Sequence, residues 1–142
     1  GLVRTSMGAV EVEPPQRFDV DGRELLLWRG NAGNPHATTF VADVDTADVA
    51  GLGAALQRHE AFPDGVNVEF VQVLARDRLR QRTFERGSGE TLACGTGAAV
   101  AAMAAFAAGH VRADVVHVEL RGGTLAVRSD GSGLAIEGPA RT

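Results

Sequence analysis

The sequence predicts one α+β domain over residues 1–142, in which a mixed, mostly antiparallel sheet wraps around a central helix. Three observations predict this class. Short apolar runs separated by turns fill the first third and the tail, and strands and helices do not alternate along the chain. The alanine-rich segment "GAAVAAMAAFAAG" has no polar face, and a helix that is apolar all round is buried on every side.

The first half of the chain predicts a hairpin, a strand and a helix. Asp21 and Gly22, between "RFDV" and "RELLLW", are a strong signal for a hairpin turn. A loop containing glycine and proline then leads into a strand near residues 38–44. The segment "TADVAGLGAALQRHEAF" places apolar residues on one helical face, with Thr46 as its N-cap.

The second half predicts another hairpin, the apolar helix and a meander. "GVNVEFVQVLA" and "RLRQRTFER" are strands joined by a short turn. On the first of them, valine and phenylalanine alternate with Asn67 and Glu69, which lie on the opposite face. The apolar helix runs from about residue 97 to 108 and ends at Gly109. Three short strands separated by glycine turns follow it.

Composition argues against several classes of protein. The net charge is −4 and all 14 basic residues are arginines, so a nucleic-acid partner is not expected. The cluster "ARDRLRQRTFER" is better explained as a solvated strand face. The longest apolar run is too short to span a bilayer, which needs about 20 residues, and the N-terminus lacks a signal-peptide pattern. We therefore expect a cytoplasmic protein without a membrane partner.

The one cysteine of the chain, Cys94, lies in the glycine-rich stretch "GETLACGTGAAV" just before the apolar helix. The start of a helix presents unpaired N–H groups and partial positive charge, which bind carboxylates and favour a thiolate. Gly95 and Gly97 would let the backbone approach a ligand closely. Thr96 supplies a hydroxyl as a cap or a donor. The pattern predicts a thiol that takes and gives protons.

Other interpretations of Cys94 remain open on the residues alone. A lone cysteine is often a small buried apolar residue, and it can be a nucleophile for acyl transfer. The loop does not match a dinucleotide-binding G-x-G-x-x-G motif.

Five more polar residues occur in turn-rich or glycine-rich settings: Asn34, His36, Asn67, Glu85 and Arg86. Each has an ordinary structural explanation as a turn residue, a loop histidine, a strand-end amide or a surface ion pair.

Four segments together resemble the diaminopimelate epimerase family. They are "GNPHATTFV", "FPDGVNVEFVQV", "ERGSGETLACGTGAAV" and "LRGGTLAV" followed by "IEGPA", and they occur in the family's order, with a match that extends over essentially all 142 residues. The resemblance implies a half-barrel around the helix and a cofactor-independent, metal-free epimerase of lysine and cell-wall biosynthesis. Such enzymes use two cysteines on opposite faces of the α-carbon to interconvert LL- and meso-diaminopimelate.

The resemblance also implies roles for individual residues. Cys94 matches the second cysteine of the pair, and Gly95 and Thr96 match the donors that hold the carboxylate of the reacting centre. A further set matches residues that grip the far amino-acid end of the substrate: Asn34, Asn67, Glu85 and Arg86. Glu85 and His36 also match residues close to the catalytic centre.

The match covers only the C-terminal half of the family's two-half architecture. The first cysteine and its N-terminal half are not in this sequence, so we expect the isolated chain not to turn over. Its expected partners are the amino-acid substrate and that other half, or a second copy of this chain that lends its own Cys94. Two rival interpretations remain: a domain of the proline racemase or hydroxyproline epimerase type, and a non-catalytic binding domain in which Cys94 is structural.

Overall fold

The computed structural model describes residues 2–8, 10–91, 95–129 and 134–139. The first half contains β1 Leu2–Gly8, β2 Glu11–Val12, β3 Gln16–Val20, β4 Arg23–Asn31, β5 Pro35–Phe40, α1 Val49–Gln57 and β6 Asn67–Ala75. The second half contains β7 Arg78–Glu85, β8 Gly89–Thr91, α2 Gly95–Ala108, β9 Val115–Leu120, β10 Gly123–Ser129 and β11 Leu134–Pro139.

The described strands form one mixed sheet. Its order is β1-β11-β10-β9-β7-β6-β5-β4-β2, while β3 pairs with the first half of β4 and β8 pairs with β7. The β5–β6 and β7–β9 pairs are parallel, and the other described pairs are antiparallel. The sheet curls into a half-barrel, because strands from both of its ends contact α2.

The predicted central helix is confirmed. Helix α2 contacts β2, β4, β5, β6, β7, β9, β10 and β11. Its alanines at positions 98, 99, 101, 102, 104 and 105 have no exposed surface. Methyl side chains let the strands approach the helix axis closely, and the helix ends before Gly109, whose φ of 77° closes it.

Helix α1 covers the opposite face of the central strands. Val68 and Phe70 of β6 pack on α1, whereas Val71 of the same strand packs on α2. Since successive residues of a strand point to opposite faces, Asn67 and Glu69 lie on the α2 side. Both faces of β6 are therefore buried over residues 67–71, and Asn67 and Glu69 are enclosed rather than solvated.

Several predicted elements differ in detail. The hairpin at Asp21 and Gly22 is confirmed, and both residues have positive φ. The strand expected at residues 38–44 is Pro35–Phe40, because its residues 36–40 pair in parallel with residues 67–71. The predicted mixed, mostly antiparallel sheet is confirmed, and it includes two parallel crossovers, from β5 through α1 to β6 and from β7 through β8 and α2 to β9.

The N-cap of α1 is another correction. Asp48, not Thr46, caps the helix, and its carboxylate accepts from the Gly51 N–H at 3.0 Å. The same carboxylate accepts from Arg23 at 3.0 Å, so this cap is fixed by the β3–β4 hairpin as well. That long-range contact is not visible in the local sequence.

The arginine cluster on β7 forms the predicted strand face. Arg78 and Arg80 both donate to Glu119, and Arg82 donates twice to Glu90 at 2.7 Å. These partly exposed ion pairs neutralise the basic stripe locally. Among the described helices, neither is long and apolar enough to cross a membrane.

Gly53 marks the closest contact between α1 and the sheet. A Cβ at this position would lie 2.3 Å from Cγ of Phe84. Gly53→Ala is therefore expected to lower the free energy of unfolding by about 2 kcal/mol, although alanine has the higher helix propensity by about 1 kcal/mol. Chemical denaturation of this chain measures the change.

The matched control is the same substitution in a Phe84→Gly background, which removes both the ring and the Cβ of residue 84 that would lie 2.7 Å from the new methyl group. There Gly53→Ala should be neutral or stabilising, since only helix propensity remains. An equal loss in both backgrounds would show that the ring contact is not the cause.

Candidate functional site

A buried carboxylate–imidazole pair lies on the α2 side of the sheet. His36 on β5 and Glu69 on β6 place Nδ1 and Oε1 2.8 Å apart, and neither side chain has exposed surface. The parallel register of β5 and β6 puts His36 opposite Asn67, so Glu69 is two residues further along the neighbouring strand. Two strands that are distant in sequence thus build one polar contact.

Asn34 extends this pair toward the surface. His36 Nε2 lies 2.9 Å from Oδ1 of Asn34, which belongs to the loop before β5 and is half-buried. An amide oxygen only accepts hydrogen bonds, so this orientation of Asn34 requires a form of His36 with a hydrogen on Nε2. Glu69, His36 and Asn34 form a continuous series from the interior to the loop.

Glu69 has an unusual protonation equilibrium. Burial raises the pKa of its carboxyl from 4.5 to about 7, and Glu85 adds to the rise, while His36 opposes it. The carboxyl is therefore partly protonated near neutral pH. Glu69 was not among the candidates, since strand alternation alone placed it beside Asn67 without indicating that α2 covers that face.

The first turn of α2 packs against this carboxyl. A Cβ added at Gly97 would lie 3.4 Å from Oε2 of Glu69 and 3.4 Å from Nε2 of Gln81. Gln81 donates to Thr83 at 3.0 Å. Within the described ranges, Oε2 of Glu69 and Oε1 of Gln81 have no hydrogen-bond partner. The helix start thus lies against buried polar atoms, two of which are acceptors without a described partner.

Asn67 joins the two loops that carry the other candidates. Its Nδ2 donates to the Pro35 carbonyl at 3.2 Å, and its Oδ1 accepts from the Arg86 N–H at 2.8 Å. The side chain is 8% exposed. Asn67 therefore fixes the backbone beside Asn34 relative to the backbone of Arg86.

Arg86 lines an open cleft of about 560 Å³ together with Gly65 and Phe84. Its side chain is exposed, and in the described part of the chain its guanidinium has no ion-pair partner. Glu85, half-buried at the end of β7, is close enough to influence Glu69 electrostatically. An arginine placed in this way can bind a carboxylate with two parallel hydrogen bonds.

A second cleft, of about 370 Å³, lies on the other side of residues 63–65. Its lining includes Asn31, Pro35, His36 and Arg29. The two clefts therefore share the turn at residues 63–65 and are bordered by the loops that Asn67 joins. Neither has Gly95 or Thr96 among its described lining residues.

The sequence-predicted thiol and its neighbours are described only in part. Cys94 lies outside the described residues. Gly95 begins α2, is half-buried, and would place a Cβ 3.3 Å from Ile136. Thr96 follows it in the first turn and is also half-buried. The structure thus connects the first turn of α2 with Glu69, His36, Asn34, Asn67 and Arg86 through successive contacts.

The described side chains supply donors and acceptors rather than a metal-binding set. Among them, no group of three histidine, cysteine, aspartate or glutamate residues is arranged to hold a metal ion. Amide, imidazole, guanidinium and carboxyl groups at the loops suit a zwitterionic ligand, since each charge of an amino acid requires a partner of the opposite kind.

The sequence profile described as "Diaminopimelate epimerase" matches residues 30–141. The diaminopimelate epimerase of Aromatoleum aromaticum is 44% identical over 156 positions, covering 100% of this chain and 56% of that protein. For the diaminopimelate epimerase of Acinetobacter baumannii (strain AYE), the identity is 50% over 110 positions, covering 77% and 39%. The chain spans about half the length of the curated relatives it matches.

Solved structures share the fold at lower identity. A hydroxyproline epimerase from Agrobacterium vitis superposes with a TM-score of 0.74 at 20% identity, covering 99% of this chain and 51% of that one. A probable proline racemase from Agrobacterium radiobacter gives 0.72 at 20% identity, covering 96% and 50%. These likenesses establish the half-barrel architecture alone.

Proposed function

Because the chain belongs to the diaminopimelate epimerase family, we propose that it forms one half of a cofactor-independent enzyme that epimerises diaminopimelate. The observation that carries the proposal is the 44% identity to such an enzyme over the whole chain, against about half of that protein. The grouping of charged and amide side chains at the loops beside α2 supports an amino-acid substrate.

The proposed reaction moves one proton off the α-carbon and another onto it. A cysteine thiolate removes the α-proton from one face, leaving a carbanion, and a cysteine thiol on the opposite face gives its proton to the same carbon. Cys94 supplies one of these sulfurs and the other half of the enzyme supplies the second. The N–H groups at the start of α2 would stabilise the charge that develops beside the carboxylate.

The other candidate residues would bind the amino-acid end of the substrate that lies far from the reacting α-carbon. Arg86 would bind its carboxylate, Glu85 its ammonium group, and Asn34 and Asn67 would complete the hydrogen bonds. We place the reaction in the cytoplasm, as a step toward lysine and cell-wall precursors, with residues 1–142 as a single domain. The composition, with one cysteine and net charge −4, supports this placement.

The first test compares the isolated chain with the complete enzyme. Purified chain mixed with LL-diaminopimelate should give no meso product by chiral chromatography, whereas the chain joined to its first half should. Turnover by the chain alone, together with a dimer in light scattering, would show that two copies complete the site. Absence of turnover in the complete enzyme would contradict the proposed function.

The second test separates this substrate from the smaller ones that proline racemases use. Arg86→Ala in the complete enzyme should raise KM for diaminopimelate by tenfold or more, that is by about 1.5 kcal/mol or more in binding free energy. Arg58→Ala is the control, since Arg58 lines the same cleft but has no proposed role. An unchanged KM in Arg86→Ala would favour a racemase-type substrate without a second amino-acid end.

A further inference from the structure

Glu69 carries a buried carboxyl group that the proposed reaction does not use. Its side chain has no exposed surface, and the one described side chain that hydrogen-bonds to it is His36. Burying a carboxyl group is costly unless it is hydrogen-bonded to a partner. A role for Glu69 therefore depends on what its contact does for His36.

His36 is equally enclosed. Both ring nitrogens are engaged, Nδ1 with Glu69 at 2.8 Å and Nε2 with Asn34 at 2.9 Å. The ring therefore links the buried carboxyl of Glu69 to the half-buried amide of Asn34 and can transmit an orientation from one to the other.

The hydrogen on Nε2 decides which way the amide of Asn34 points. With a hydrogen there, Oδ1 of Asn34 turns inward and Nδ2 faces away from the ring. If Nε2 carried no hydrogen, it would repel Oδ1 of Asn34. The amide would then rotate, so that Nδ2 faces the ring and Oδ1 faces outward. A protonated Glu69 can donate a hydrogen bond to Nδ1 of His36. Nδ1 then remains an acceptor, and the hydrogen of the neutral ring stays on Nε2.

We propose that Glu69 is a positioning residue that, through His36, holds Asn34 with its Nδ2 group outward, ready to donate to a carboxylate of the amino-acid substrate. This inference rests on the proposed function. Among the described residues, nothing accepts a hydrogen bond from Asn34 Nδ2, and Asn34 is half-buried at the loop. The Pro35 carbonyl beside it is held by Asn67, which also binds the Arg86 backbone. Asn34 and Arg86, two donors for anionic groups, are thus fixed relative to each other.

The decisive experiment compares Glu69→Gln with Glu69→Met in the complete enzyme. The two side chains resemble glutamate in volume, but only glutamine can donate a hydrogen bond to Nδ1. Glu69→Gln should keep KM for diaminopimelate within about threefold, and Glu69→Met should raise it by about tenfold with a smaller effect on kcat. Equal losses in both variants would overturn the positioning role.

Asn34→Asp tests the proposal at the loop, where the substitution does not alter the buried core. It keeps the oxygen that accepts from His36 and replaces the outward N–H group by an oxygen, so KM should rise by about tenfold or more. An unchanged KM would overturn the proposal even if Glu69→Met fails to fold.

A spectroscopic readout is independent of catalysis. In ¹⁵N spectra of this chain at about pH 6, where Glu69 retains its proton, Nε2 of His36 should carry a hydrogen in the wild type and in Glu69→Gln. A bare Nε2 in the wild type would overturn the proposal. If the wild-type enzyme does not epimerise diaminopimelate, the proposed function fails, while the ¹⁵N spectra still decide whether His36 donates to Asn34.

Discussion

Replacing Cys94 by alanine in the complete enzyme is expected to lower kcat for diaminopimelate epimerisation by about a thousandfold or more. The reason is the proposed two-sided proton transfer, in which the loss of this sulfur would leave the proton on its face of the α-carbon neither removed nor delivered. Steady-state rates of meso product formation measure the loss, and circular dichroism verifies that the fold is retained.

Cys94→Ser is the matched variant. The hydroxyl has nearly the size of the thiol but is a much weaker acid, so its rate should fall between those of the wild type and Cys94→Ala. Activity of Cys94→Ala within tenfold of the wild type would contradict a catalytic thiol. Slow labelling of Cys94 by iodoacetamide near neutral pH would instead favour a structural cysteine.

The contribution of Glu69 to the stability of this chain should fall as the pH rises from 4.5 to about 7. Its pKa is higher in the folded chain than in the unfolded chain, so the folded state binds more protons in this interval and is favoured at the acidic end. The stabilisation is fully present below pH 4.5 and is lost as pH rises through about 7. A shift of this size corresponds to about 3 kcal/mol.

Glu69→Gln isolates this contribution, since glutamine does not titrate while the other groups are unchanged. The difference in unfolding free energy between wild type and variant, measured by chemical denaturation at pH 5 and pH 8, should change by about 2.5 kcal/mol. Parallel pH profiles for the two proteins would mean that Glu69 has the same pKa in both states.

Local sequence patterns were sufficient to predict the elements that depend only on neighbouring residues. The Asp21–Gly22 turn and the apolar helix are examples, because turn conformation and helix periodicity are properties of a few consecutive residues. The motif residues Asn34, His36, Asn67 and Arg86 lie in one connected region of the structure.

Long-range contacts explain what could not be predicted. Glu69 looked like one polar residue of an alternating strand, and its burial depends on His36, 33 residues earlier, and on helix α2, which follows two further strands. The parallel pairing of β5 with β6 likewise depends on a crossover through α1, which leaves no mark in either strand.

The enclosure of α2 has a consequence for how the chain is made. Synthesis proceeds from the N-terminus, so this helix leaves the ribosome before β9, β10 and β11, which supply part of its cover. Alanine has the strongest intrinsic tendency to form helix, so the segment can become helical before β9, β10 and β11 have been synthesised. Its apolar surface nevertheless stays open to water, to chaperones and to other nascent chains until the last strand has been translated.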